Sequence, residues 1–120
     1  MDYTNDALLE LISNRFKILS DANRLKVLSC LRNGEKNVTQ IIEETGLKQA
    51  NVSKILIAMA QINIVARRKD GNSVFYHIVD DSIFELCSLM CSKLQENMVG
   101  FSKLAKIKNP FEHSNKEKKQ

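Results

Sequence analysis

The chain of 120 residues has no apolar run near the roughly 20 residues that a membrane-spanning helix needs, and its first residues, MDYTNDALLE, lack the basic-then-apolar order of a secretory signal. A soluble, cytoplasmic protein with no membrane partner is expected. Cysteine is scarce: three residues, an odd number without a CxxC pair, indicate neither a disulfide framework nor a zinc ribbon. The single proline, Pro110, lies beyond the last periodic stretch. There is no paired-carboxylate, Ser-His-Asp or Gly-rich phosphate-loop arrangement, and no cysteine stands beside a base or at a helix start, which argues against an enzyme. With 43% hydrophobic residues the chain suffices for one domain with a real core and is too short for two.

What is present is unevenly distributed charge. The formal net charge is +4. Residues 48–72 hold five basic residues against one acidic, and residues 103–120 hold six against two; the rest of the chain has seven against eleven. A localised positive segment on an acidic body is the footprint of a surface that docks on phosphates. A solvated lysine-rich face accounts for the tail, but less well for the middle segment.

Hydrophobic periodicity predicts five helices and one hairpin. NDALLELISNRFKIL offers Asn5 or Asp6 as N-cap, with Leu8, Ile12, Phe16 and Leu19 on one stripe. SDANRLKVLSCLRNG repeats the device, with Ser20 or Asp21 as cap, an inward Leu25, Val27, Leu28 and Leu31, and Asn33-Gly34 as stop. A third helix of barely two turns, VTQIIEETG, opens at Thr39 and closes at Gly46. In the fourth, QANVSKILIAMAQINIV, the buried face is Val52, Ile55, Leu56, Met59 and Ile62. A short helix, a glycine turn and a longer helix form a helix-turn-helix. VARRKDGNSVFYHIV then reads as a β-hairpin turning at Asp70-Gly71-Asn72-Ser73. The last helix follows from Asp80-Asp81, which serve as its N-cap, with Ile83, Cys87, Met90, Leu94 and Met98 or Phe101 on one stripe. The fold expected is mainly α, a winged helix-turn-helix, with residues 1–101 as the domain and 102–120 as a basic, mobile tail.

In a helix-turn-helix the second helix enters the major groove of DNA and its first residues reach base edges. Here those are Lys48, Gln49, Asn51, Ser53 and Lys54. Gln and Asn pair bidentately with adenine, Lys reads guanine or phosphate, and Ser binds phosphate. The hairpin adds Arg67, Arg68, Lys69, Asn72 and Tyr76 for the sugar-phosphate backbone or minor groove. Each alone is more often a solvated side chain; together, in this topology, they favour double-stranded DNA as the partner. A protein-interaction winged helix is the competing class, although its recognition helix need be neither basic nor amide-rich.

Three stretches, NRLKVLSCL, GLKQANVSKIL and RRKDGNSVFYHI, resemble the ArsR/SmtB family of small bacterial repressors, in that family's order, over roughly residues 16–95. The resemblance implies a homodimer built from the first and last helices, and a repressor that leaves operator DNA when an inducer binds. One departure is that Lys54 and Ile55 stand where members usually have a residue followed by His and Leu, so groove contacts there are expected to differ.

The family's zinc-type site maps onto Asp80, Ser82, Lys93 and Glu96; Lys is a cation and Ser a weak ligand, which argues against zinc or nickel. The Cys-x-Cys that other members carry at the start of the third helix is absent from NVTQIIEE. That leaves Cys30, Cys87 and Cys91. As small hydrophobes they would pack a core or dimer seam. As sensors, Cys87 and Cys91 at i, i+4 would chelate a soft metal or metalloid as thiolates, with Cys30 or the partner subunit as third donor. Similarity to sulfur-responsive members implies a third version, a disulfide or polysulfide link from Cys30 to the last helix. No certain cofactor follows. His77 on the wing and His113 in the tail are read as structural or solvated.

Overall fold

The structure, a computed structural model, describes residues 4–98 and 103–112. Helix α1 (Asn5–Leu19) is capped by Thr4, whose Oγ1 accepts the Ala7 N–H at 3.2 Å; the cap is thus just ahead of the expected Asn5 or Asp6. Helix α2 (Ala22–Cys30) is capped by Asp21, as one of the two expected candidates, through a 3.1 Å bond from the Arg24 N–H. It ends before Asn33-Gly34, because the N–H groups of Leu31 and Arg32 bond back three residues and tighten the last turn.

Strand β1 (Lys36–Asn37) is unexpected; two residues are too few to show an alternating pattern. It runs into α3 (Val38–Thr45), whose cap is Asn37 and not Thr39: the Asn37 side chain accepts the Gln40 N–H and the Gln40 side chain accepts the Asn37 N–H, both at 2.8 Å. Gly46, at φ +74, ends α3 in the left-handed conformation. Helix α4 (Gln49–Gln61) buries Val52, Ile55, Leu56 and Met59 as the spacing predicts, while Ile62 just beyond it is half-buried.

Strands β2 (Val65–Asp70) and β3 (Ser73–Ile78) form the hairpin, closing with Asp70 opposite Ser73. Gly71, at φ +62, takes the first central position, which a two-residue II′ turn reserves for glycine. Strand β1 pairs antiparallel with β3, so the wing is a three-stranded sheet of order β1-β3-β2 rather than a bare hairpin.

Helix α5 (Ser82–Glu96) begins where Asp80 Oδ1 accepts the Ser82 N–H at 3.0 Å; Asp81, at the cap position itself, makes no capping bond. Ile83, Phe84 and Cys87 face the core, whereas Met90 and Leu94 on the expected stripe are more than half exposed. Phe101 and His113 lie outside the described residues. Of the stretch assigned to the tail, residues 103–112 return against α5 with a 3-10 turn at Lys103–Lys106, and Phe111 joins the core. The architecture is a mainly helical winged helix-turn-helix, and among the described residues no helix is long and apolar enough to cross a membrane.

A single core joins α2, α3, α4, the sheet and α5; α1 contributes no fully buried residue. Cys30 sits in it at 2% exposure. Burial, reinforced by a hydrogen bond to Glu44, pushes its pKa up to about 12 from the ordinary 9.0, against the pull of Lys36 and Arg32.

Two outcomes follow from these local bonds. Asn37→Ala removes the α3 cap and should cost about 1 kcal/mol, measured as a lower urea midpoint; an unchanged midpoint would show the capping bond contributes nothing. The Cys30 thiol binds its proton more tightly folded than unfolded, so its contribution is whole below pH 9 and falls away as pH rises toward 12. Cys30→Ala should therefore lose less stability than the parent between pH 8.5 and 10.5; parallel curves would refute the assignment.

Candidate nucleic-acid interface

The helix-turn-helix is held tight by local chemistry. Thr45 Oγ1 donates to the Ile41 carbonyl at 2.7 Å and accepts the Leu47 N–H at 3.2 Å, while the Gly46 N–H bonds Ile42 O at 2.8 Å. Helix α4 then starts after Lys48, which is in extended conformation and makes no side-chain capping bond. Its first N–H groups thus have no cap oxygen, an arrangement that suits an incoming phosphate.

Four inward residues set the opposite face. With Val52, Ile55, Leu56 and Met59 buried, Gln49 and Lys54 are exposed and Asn51 and Ser53 half-buried. Reasoning from residue type missed Ala50 and Ile57, which are exposed on the same side as Lys54. Ile57 is 55% exposed, an apolar group on the face of α4 turned away from the core. The signal was available: at 100° per residue, positions 50, 53, 54 and 57 lie opposite the buried ones.

The wing divides the expected set. Its ladder pairs Arg67 with Tyr76, Arg68 with Phe75 and Lys69 with Val74, so successive residues fall on opposite faces. Arg67, Lys69 and Asn72 are exposed. Tyr76 is not on the outer surface: at 9% exposure it belongs to the core, where it shares a face with the buried Val65 and the half-buried Ile78. Arg68 is already engaged. Its guanidinium forms a two-bond pair with the Glu35 carboxylate, lies 3.6 Å from Asp70 and stands 4.9 Å over the Phe75 ring. The Arg68 hydrogen bond holds the Glu35 carboxyl below the usual range.

The thiols do not come together as a triad. Cys87 and Cys91 both open on an apolar groove between α1, α2, α5 and residues 103–112, whereas Cys30 is not among the groove's lining residues and faces Glu44. Burial raises the Cys87 thiol; burial and then the Glu112 charge raise Cys91. Asp80 is spent on the start of α5 and Lys93 pairs with Glu96 at 3.4 Å. Among the described residues no group of three or more His, Cys, Asp or Glu is arranged to hold a metal.

Comparison with known proteins agrees with this geometry. The family model for bacterial regulatory proteins of the arsR family matches residues 21–66, from the α2 cap into β2. An HTH-type transcriptional regulator of Methanocaldococcus jannaschii is 38% identical over 76 residues, 62% of this chain and 85% of that one. The arsenical resistance operon repressor of Staphylococcus aureus is 34% identical over 79 residues, 62% of this chain and 76% of that one. Some relatives are longer, and the chain spans 58% of a matched Mycobacterium tuberculosis regulator. The solution structure of a homodimeric winged helix-turn-helix DNA-binding domain from Mycobacterium bovis superposes with a TM-score of 0.71 at 26% identity, covering 82% of this chain and 94% of that one. The chain belongs to the ArsR family of bacterial regulatory proteins, a family of transcriptional regulators and not of enzymes.

Proposed function

We propose that the chain is a cytoplasmic, homodimeric repressor that reads a palindromic operator and releases it when an inducer acts at the α1–α5 side. The observation that carries the reading is the joint exposure of Gln49, Lys54 and Ile57 on α4 and of Arg67, Lys69 and Asn72 on the adjacent wing. Half-sites one helical turn apart would match a two-fold dimer. Dimerisation is supported by α1, where Leu8, Leu9, Leu11 and Phe16 are all more than half exposed, and by Leu89, Met90 and Leu94 on α5. Exposed apolar side chains of this kind on two helices ask for a partner. The homodimeric state of the Mycobacterium bovis domain is in keeping with it.

Within this reading the cysteines pack. All three thiols are pushed toward the protonated form, Cys30 stands apart from Cys87 and Cys91, and the described residues give the pair no third donor. Soft ions bind the thiolate, which burial disfavours here.

Specific binding should weaken steeply with salt, since each neutralised phosphate releases counterions. Gln49→Ala or Asn51→Ala should relax sequence preference by roughly 1–3 kcal/mol of discrimination. Arg67→Ala should weaken all sequences alike, and Arg68→Ala less so because its charge is already paired. A gel shift with no preference for DNA upstream of the protein's own gene would count against the proposal. For the thiols, titration of the DNA complex with arsenite and cadmium should give the same curve for the parent, Cys87→Ser and Cys91→Ser. Release abolished by either substitution would make them sensors instead.

A further inference from the structure

The outer half of the wing lies beyond the reach of the core. From Arg67 to Phe75 no residue of the hairpin is buried, and β1 pairs with β3 at Phe75 and Tyr76, short of the turn. The stretch that carries Arg67, Lys69 and Asn72 is therefore a two-stranded ribbon, a form that is at best marginally stable in water without further packing.

A side-chain cluster reaches this ribbon from the opposite edge of the sheet. Arg68 is on β2 at one edge, and Glu35 immediately precedes β1 at the other. The Arg68 guanidinium crosses β3, 4.9 Å over the Phe75 ring, and donates from Nε to Glu35 Oε2 at 3.2 Å and from Nη2 to Oε1. Its Nη1 stands 3.6 Å from Asp70, two residues further along β2. A lone surface ion pair contributes little, because two long side chains must be held still to form it. This one is bidentate, is shared with a second carboxylate and lies over an aromatic face, and these features fix its geometry. The far end is anchored as well: the residue after Glu35 is Lys36, whose Nζ holds the Cys30 carbonyl at 2.8 Å and Glu44 at 3.0 Å.

We propose that Glu35 is a positioning residue for DNA binding: through Arg68 it holds the outer half of the wing, so that Arg67, Lys69 and Asn72 meet the duplex already ordered. Charge alone assigns Glu35 the contrary role, since an acid beside a DNA-binding surface repels phosphate. The inference rests on the repressor reading for its partner, DNA. Its structural half, the ordering of the wing, is measurable without DNA.

The test compares the full chain with Glu35→Gln by fluorescence anisotropy on a labelled duplex from upstream of the protein's own gene, over a range of salt concentrations. Phosphate electrostatics alone would make Glu35→Gln bind more tightly, because a negative charge is removed. The inference requires the opposite sign, a weakening of about threefold or more; equal or tighter binding overturns it. Arg68→Ala should weaken binding and leave its salt dependence unchanged, whereas Arg67→Ala should lower the log–log salt slope by about 0.9 per subunit. A matching drop for Arg68→Ala would make Arg68 a phosphate contact and overturn the positioning role. Glu35→Arg together with Arg68→Glu re-forms the pair with reversed polarity and should recover most of the affinity that either change alone removes; a double variant no better than the single ones counts against the inference. Without DNA, amide hydrogen exchange across residues 71–75 should be faster in Glu35→Gln than in the parent, and unchanged rates refute the ordering whatever the duplex does. A parent that fails to bind the duplex takes down the repressor reading and this inference with it, while a parent that binds and a Glu35→Gln variant that binds as well take down this inference alone.

Discussion

One lysine joins the parts that must keep fixed relative positions if a helix and a wing are to meet the same duplex. The backbone of Lys36 pairs with Tyr76 in the sheet, its Nζ donates to the Cys30 carbonyl at the end of α2 at 2.8 Å, and the same nitrogen pairs with Glu44 of α3 at 3.0 Å. The next residue, Asn37, caps α3. Two consecutive residues therefore tie the wing to both helices that support the recognition helix. The Lys36 side chain is largely shielded, while Glu44 is more open to solvent. Burial pulls the Glu44 carboxyl upward, but the hydrogen bonds from Lys36 and Cys30 outweigh it and leave Glu44 below its ordinary range. Its contribution to stability is accordingly present above the usual carboxylate pKa and lost on acidification.

A second link runs the other way, toward the exposed helices. Arg15 of α1 donates from Nη2 to the Ile62 carbonyl at 2.9 Å, just where α4 ends and Asn63 turns the chain at φ +62. Since α1 buries no residue fully, its seating depends on bonds such as this and on the partly buried Ile18 and Leu19. The bond joins α1 to the end of α4, and α5 shares with α1 the walls of the apolar groove.

The helices were legible because each has a strong apolar stripe, and the hairpin because Asp70-Gly71-Asn72-Ser73 has only one economical turn. The misreadings have separate causes. Strand β1 is defined by pairing with a partner some 40 residues away, which no local pattern records. Thr39 and Asn37 are both competent caps, and the choice fell to the residue whose side chain could also be answered by Gln40. Tyr76 was assigned to the DNA-contacting set by its chemistry, although its ring is buried in the core. For the interface, charge and amide content singled out Gln49, Lys54, Arg67 and Lys69, but they could not find Ile57, which is conspicuous only once the buried side of α4 is known. Nor could they tell that the Cys30 thiol is hydrogen-bonded to Glu44.

The wing illustrates why a basic residue and a DNA contact are different things. For Arg68 to bind a phosphate it must surrender two hydrogen bonds to Glu35 and its approach to Asp70, so the net gain is an exchange of one anion for another. Arg67 and Lys69, on the other face of the strand, have no such partner among the described residues and bring their charge at no comparable cost. What Arg68 supplies is order: its guanidinium spans from Glu35, just before β1, across the Phe75 ring to Asp70 at the turn. A wing made rigid in this way loses less conformational entropy when it docks, and affinity saved on ordering is as useful as affinity gained from another phosphate.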